Sequence, residues 1–275
     1  MGGCVALELG LKGRVAAITG SSKGIGKAIA RGLAAQGVNI VLIARGQDQL
    51  DAAANEIKKE SGVEVLPIRA DIANMESVQA AAAAVKDRFG SVNILVNNAG
   101  NPMRRMDRQI LWPDTDWVDD LNLKIVGALR ATQSFLPLMP SDGTGRIINI
   151  SGTASMAVWV PALTHGLNNA AMNQATGYLA HDLASQNITV NAVIPGLVAT
   201  EGREVWADNM AKQQNVTREE FLTGFCKKMG ILAGRWAEMS EVADTVVFVA
   251  SDRGRYYNGA KIVMDGGLNI NARPA

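Results

Sequence analysis

Residues 19–26 read Thr19-Gly20-Ser21-Ser22-Lys23-Gly24-Ile25-Gly26. The apolar run Val15-Ala16-Ala17-Ile18 precedes them and has the composition of a buried strand. Ile25, Ile29 and Leu33 follow at four-residue spacing, as on one face of a helix. A glycine-rich turn between a buried strand and a helix is a phosphate cradle. Its glycines let the backbone approach a pyrophosphate, and the free N–H groups at the positive helix end favour the anion. The glycines fall at 20, 24 and 26, a G-x-x-x-G-x-G spacing rather than the more usual G-x-G-x-x-G.

Outward from this turn, strand and helix patterns alternate. Strands are predicted at Asn39–Ile43, Val63–Ile68, Asn93–Val96, Arg146–Ile150, Ile188–Val193 and Lys261–Met264. Between them run helical patterns carrying Leu50, Ala54 and Ile57, then Val78, Ala82, Val85 and Phe89. Longer helices are predicted over about 114–139 and 162–184, and a last one over about 242–250. Continuous apolar strands separated by helices imply an α/β fold, a doubly wound parallel sheet covered on both faces. A single domain over residues 1–275 is expected. Residues 200–234 break the rhythm, carrying charges, Trp206, Met210, Phe221, Phe225 and Met229 without strand signals, and read either as a lid or as a surface excursion covering core.

Composition excludes several classes. A net charge of +1 argues against a dedicated nucleic-acid or membrane-surface protein. Neither Cys4 nor Cys226 has a partner at metal-ligand spacing, so no metal centre is expected. No apolar run approaches membrane-spanning length. The start, Met1-Gly2-Gly3-Cys4-Val5-Ala6, has Ala where a myristoylation signal prefers Ser or Thr, and reads as a disordered leader. A soluble cytoplasmic protein is the expectation.

Further signals fall in order: Asp71-Ile72 after strand three, Asn97-Asn98-Ala99-Gly100 after strand four, and Asn122 in the long helix. Pro195-Gly196-Leu197-Val198-Ala199-Thr200 come after strand six, and Val263-Met264-Asp265-Gly266-Gly267 close the chain. Together with the first turn, these motifs resemble the short-chain dehydrogenase/reductase family over almost the whole chain. The resemblance implies a Rossmann-like sheet and a nicotinamide dinucleotide. It implies that Gly20, Ser22, Lys23, Gly24, Ile25 and Gly26 hold the pyrophosphate and that Asp71 and Ile72 meet the adenine. Asn97, Ala99 and Gly100 would pass beneath the cofactor, and Pro195, Gly196, Val198 and Thr200 would hold the nicotinamide amide. Strand two ends Ile43-Ala44-Arg45, with no carboxylate for a ribose. Arg45 is placed to pair with a 2′-phosphate and Lys23 adds a second cation, so NADP(H) is expected over NAD(H).

The catalytic half departs from the family. Aligned without a gap, the family's Tyr falls on His165, its Lys on Asn169 and its strand-end Ser on Gly152, while Asn122 matches. Tyr257 and Lys261 have the right spacing but enter a strand, where residues four apart stand more than about 10 Å from each other. A free Tyr needs a cation to lower its pKa, whereas imidazole titrates near about 6.5 unaided. A lysine beside His165 would depress the imidazole, so losing Tyr and Lys together is coherent if His165 is the acid/base. Asn169 could bond the nicotinamide ribose.

Three functions remain open. One is an NADP(H)-dependent oxidoreductase using His165, Asn122 and Asn169. A second is a catalytically silent cofactor-binding subunit, pairing with an active paralogue. The third is a lyase, dehydratase or isomerase in which His165 moves protons. Resemblance implies a homodimer or homotetramer joined through the two long helices. For a small-molecule substrate, the mouth is expected from Asn101 to Trp112, Gly152 to Pro161 and residues 200–234. Met103, Met106, Trp112, Met156, Trp159 and Trp206 supply apolar bulk, and Arg104, Arg105 and Arg108 positive charge. That mouth would suit a large, flat or acidic substrate.

Overall fold

The computed structural model describes residues 8–101 and 108–270. The N-terminal leader with Cys4, and Met103, Arg104, Arg105 and Met106 of the expected mouth, lie outside the described residues.

Seven strands form one parallel sheet in the order β3-β2-β1-β4-β5-β6-β7. They are β1 (Val15–Thr19), β2 (Asn39–Ala44), β3 (Val65–Arg69), β4 (Ile94–Asn97), β5 (Arg146–Ile150), β6 (Thr189–Pro195) and β7 (Lys261–Met264). Alternation along β1 feeds both faces of the sheet. Ala16 and Ile18 join Ile29, Leu33, Val242 and Val246 from helices α1 (Gly24–Ala34) and α9 (Met239–Ala250), with α2 (Gln47–Ser61) on the same side. Val15 and Ala17 face the opposite layer, where Val85 of α3 (Met75–Phe89) and Phe135 of α5 (Gly127–Phe135) pack on Leu95 and Ile147. Helix α6 (Leu163–Asp182) adds Leu179 and Ala180 to that layer.

Strand order reverses between β1 and β4, since the chain winds outward from them in opposite directions. The loops after these two strands therefore diverge and leave a crevice at the carboxyl edge, where open α/β sheets bind ligands.

Two expectations are refined. The helix expected over 114–139 is α4 (Asp114–Leu121), a π turn (Asn122–Val126), α5 and a 3₁₀ turn (Leu136–Leu138). Pro137 lies in that last turn, where its missing N–H ends the regular ladder. Residues 200–234 are a helical hairpin, α7 (Glu201–Gln214) and α8 (Arg218–Met229), with a Thr217–Glu220 capping box starting the second helix. Trp206 packs edge-on against Phe221 and Phe225 at 5.6 and 5.5 Å and stacks with Trp236 at 6.2 Å. These rings form a separate small core with Ala207, Ala211 and Cys226. Trp206, expected at the mouth, is partly buried and packs against this core.

Candidate active site

The first loop and the loop after β4 are sewn together by Thr19. Its hydroxyl donates to the Val96 carbonyl at 3.3 Å and accepts the N–H groups of Asn98 and Ala99 at 3.0 and 3.1 Å. Asn98 answers with its amide, donating to the carbonyls of Thr19 and Gly20 at 2.9 and 3.1 Å. Gly20 has φ +67°, and a Cβ on Gly26 would stand 2.4 Å from the Gly20 carbonyl oxygen, so neither position accepts a side chain. The loop thus turns tightly enough to aim the first N–H groups of α1, at Gly24, Ile25 and Gly26, into the crevice. Asn98 lies within the stretch from Asn97 to Gly100 expected beneath the cofactor, and its side chain is what fastens that stretch to the first loop.

Of the other residues expected around a dinucleotide, Asn97 is turned away. It is buried and donates to Asn149 at 2.9 Å and Thr132 at 3.2 Å, tying β4 to β5 and α5. Its side chain serves the sheet, and only the backbone at Asn97, Ala99 and Gly100 borders the crevice. Asp71 uses Oδ1 to accept the Ala73 N–H at 3.0 Å. Ile72 and Val198 are buried in opposite layers, so their main chains alone are available. Gly196 donates to the Met264 carbonyl at 3.0 Å, and a Cβ there would lie 2.9 Å from Asp265 Cα. Thr200 caps α7 without a side-chain bond. Lys23, Arg45 and the partly exposed Ser22 ring the cradle; both cations are exposed and neither forms a salt bridge among the described residues.

His165 occupies the first turn of α6. Gln109, only 1% exposed, fixes that turn by accepting the Thr164 N–H at 2.9 Å and donating to the Pro161 carbonyl at 2.6 Å. The imidazole Nδ1 is buried with no partner. Burial pushes the imidazole pKa down and the charge of Lys124 pushes it further, while Asp120 opposes; Arg203 also lowers it and the Asn101 backbone raises it. One turn along the helix, Asn169 is 4% exposed and its Oδ1 also lacks a partner. Its Nδ2 lies 2.8 Å from where a Cβ on Gly152 would sit. Gly152 has extended backbone, φ 179°, so the glycine is required for space and not for conformation. The amide of residue 169 fills the volume a residue-152 side chain would take. Ser151 is turned back, donating to the Asn169 carbonyl at 3.1 Å.

Asn122 Oδ1 accepts a bond from Arg130 Nη1 at 2.8 Å. The residue of the same π turn that bears on His165 is Lys124. A Cβ on Gly100 would lie 3.3 Å from Lys124 Cδ and 3.8 Å from its Nζ, which puts the ammonium over the loop after β4. Burial pushes that ammonium down to about 8. Lys124 thus supplies, from the π turn, a positive charge that depresses the imidazole. A π turn adds a residue to the helix and rotates the succeeding turns, which is how such insertions re-aim side chains at functional sites. A lone cation inside the apolar run Leu121 to Leu129 was the available signal. Arg203, in the first turn of α7, is likewise pushed down by burial. Tyr257 packs edge-on against Phe248 at 5.9 Å, away from this cluster.

The residues present fit a dinucleotide. Among the described residues the cradle offers unbonded N–H groups, Lys23 and Arg45 form no salt bridge, and the orphaned Asn169 Oδ1 can accept from a ribose hydroxyl. None of the described helices is long and apolar enough to cross a membrane.

The model of a family described as enoyl-(acyl carrier protein) reductase matches residues 20–269. A 3-oxoacyl-[acyl-carrier-protein] reductase, FabG, of Staphylococcus aureus is 32% identical over 258 residues, covering 92% of this chain and 97% of that protein. L-sorbose reductase from Gluconobacter frateurii, solved with NADPH and L-sorbose, superposes with a TM-score of 0.89 at 33% identity, covering 95% of this chain and 98% of that one. A short-chain oxidoreductase from Pseudomonas aeruginosa, described as containing an atypical catalytic center, has a TM-score of 0.89 at 25% identity, covering 96% and 100%. Sheet order, crevice and these likenesses agree: the chain belongs to the short-chain dehydrogenase/reductase family of oxidoreductase enzymes.

Proposed function

We propose that the chain is an NADP(H)-dependent oxidoreductase acting on a small carbonyl or alcohol substrate, with His165 moving the proton. The cofactor part of the reading is supported by Arg45 and Lys23, by the missing carboxylate at the end of β2, and by the NADPH-bound relative. When bound, the dinucleotide supplies or accepts the hydride. The chain's own residues do the rest. Asn169 orients the ribose through Oδ1, and the glycine-rich turn and Thr200 hold the two ends of the cofactor. Neutral His165 accepts the hydroxyl proton when an alcohol is oxidised, and its imidazolium returns a proton to the oxygen in reduction.

The catalytic part is supported by a half-buried imidazole with an unpartnered Nδ1 in the first turn of α6. A His165→Ala variant should lose about 10²–10⁴-fold in kcat, the usual worth of a positioned acid/base, while NADPH binding by fluorescence titration stays unchanged. Full turnover by this variant refutes the assignment.

A neutral base beside an ammonium also favours a second reading, proton shuttling without net hydride transfer, as in a lyase, dehydratase or isomerase. Product formation with constant nicotinamide absorbance would select it. A catalytically silent subunit would instead show NADPH binding, no turnover, and co-purification with a distinct chain. Self-association belongs to the same proposal, since Leu121, Val126, Leu129 and Leu167 are exposed on α4, the π turn, α5 and α6.

A further inference from the structure

Helix α6 begins without a cap of its own. Its N-cap residue is Ala162, which makes no side-chain bond, whereas helix starts usually carry Ser, Thr, Asp or Asn there to satisfy the free N–H groups of the first turn. The acceptor comes instead from 55 residues upstream. Gln109 Oε1 accepts the Thr164 N–H at 2.9 Å, and Gln109 Nε2 donates to the Pro161 carbonyl at 2.6 Å. One amide therefore brackets the helix start, holding the residue before the N-cap and the second residue after it. His165 is the next residue along. Gln109 is itself held, because its carbonyl accepts the Trp117 indole N–H from α4 at 2.9 Å and the Trp112 N–H at 3.1 Å. It is 1% exposed, so solvent does not compete for these bonds. The same residue opens the 3₁₀ turn Gln109–Leu111, whose other two side chains, Ile110 and Leu111, are exposed. That turn belongs to the stretch expected at the substrate mouth.

Resting on the oxidoreductase reading, we infer that Gln109 is a positioning residue for proton transfer: its amide sets where the first turn of α6 stands, and with it the His165 imidazole. The mouth segment and the proton-carrying turn then move as one piece, because the donor and acceptor of a single side chain join them. A misplacement of about 1 Å in a catalytic group costs up to about a hundredfold in rate, so loss of this tie should show first in turnover. The bonds at Gln109 do not involve the glycine-rich turn, so cofactor binding should not depend on them.

Gln109→Met keeps the length of the side chain and removes both polar ends. Neither residue is charged, so the charges of Lys124, Asp120 and Arg203 that bear on the imidazole are unaltered, and a change in its titration reports movement. The chain has two histidines, so imidazole NMR of the labelled full-length protein gives two signals, and the His165→Ala spectrum assigns them. We expect wild-type His165 to titrate below about 6.5, the direction its burial imposes, and the Gln109→Met signal to move up toward that value as the released turn gains water. Turnover, kcat, should fall about tenfold to hundredfold while NADPH affinity stays within about twofold. In a His165→Ala background the same substitution should cost less than about twofold, since its effect passes through the imidazole. Trp117→Phe removes only the indole N–H that donates to the Gln109 carbonyl. It should move the signal the same way by less, and it carries the test if Gln109→Met does not fold. An unchanged His165 titration in the folded variants overturns the inference. So does an equal loss of kcat in the wild-type and His165→Ala backgrounds, or a loss of NADPH affinity as large as the loss of kcat, either of which makes Gln109 a general brace. Full turnover by His165→Ala would instead remove the imidazole from the mechanism, and the NMR titration would still decide whether Gln109 places it.

Discussion

Replacing Thr19 by Val tests whether one hydroxyl builds the crevice. The side chain is 1% exposed, and valine matches its shape while removing the oxygen. Two backbone N–H groups, of Asn98 and Ala99, lose their partner together. Each buried polar group left unpaired costs about 1–3 kcal/mol, and the lower half applies because Asn98 and Ala99 are only partly buried. The expected loss is therefore about 2–4 kcal/mol, or a fall in melting temperature of roughly 5–10 °C for a chain of this size. Urea unfolding followed by tryptophan fluorescence measures the first quantity. An NADPH titration measures the second effect, because the loop after β4 is held against the cradle by these same bonds. Thr19→Ser keeps the hydroxyl and should recover most of both. Loss of less than about 1 kcal/mol with unchanged NADPH affinity would refute the claim that Thr19 joins the two loops.

Lys124→Met should stabilise the protein at pH 7 by about 1–2 kcal/mol, since a drop from 10.5 to about 8 corresponds to about 3 kcal/mol before allowance for partial exposure. The sign is that of a lysine whose folded pKa is lowered: the unfolded chain binds the proton more tightly, so the penalty is full below about 8 and fades as pH rises toward 10.5. The variant's advantage should thus shrink through that window in urea titrations. Gly152→Ala puts a Cβ 2.8 Å from Asn169 Nδ2 and should cost about 1–3 kcal/mol, most of it recovered in a Gly152→Ala/Asn169→Ala double variant; strict additivity would show that the two positions do not compete for space. Arg45→Asp should weaken NADPH by about tenfold or more, the worth of a charged hydrogen bond, and spare NADH in the same titration.

The α/β alternation, the glycine turn and the motif order were legible because each is written in contiguous residues. Burial on both faces makes a parallel strand continuously apolar, and a phosphate turn must place its glycines at fixed short spacing. That His165 and Asn169 stand four residues apart on one helix was legible for the same reason, being a matter of position along the chain. What Gly152 is for was not legible, because its reason is the amide of a residue seventeen positions later, brought against it by the β5–α6 packing. Asn122 was expected from its match to the family pattern. Lys124 lies in the π turn over Asn122–Val126 and reaches the loop after β4 at Gly100, an approach that only the packing of the helix on the sheet decides. Trp206 carried the apolar bulk of a mouth residue, and the packing of α7 and α8 sets it, partly buried, against their small core. Local spacing therefore determined the fold and the dinucleotide cradle. Only tertiary structure decided which charges meet at the imidazole, because Lys124, His165 and Arg203 lie on three elements whose approach depends on how the helices and hairpin pack over the sheet.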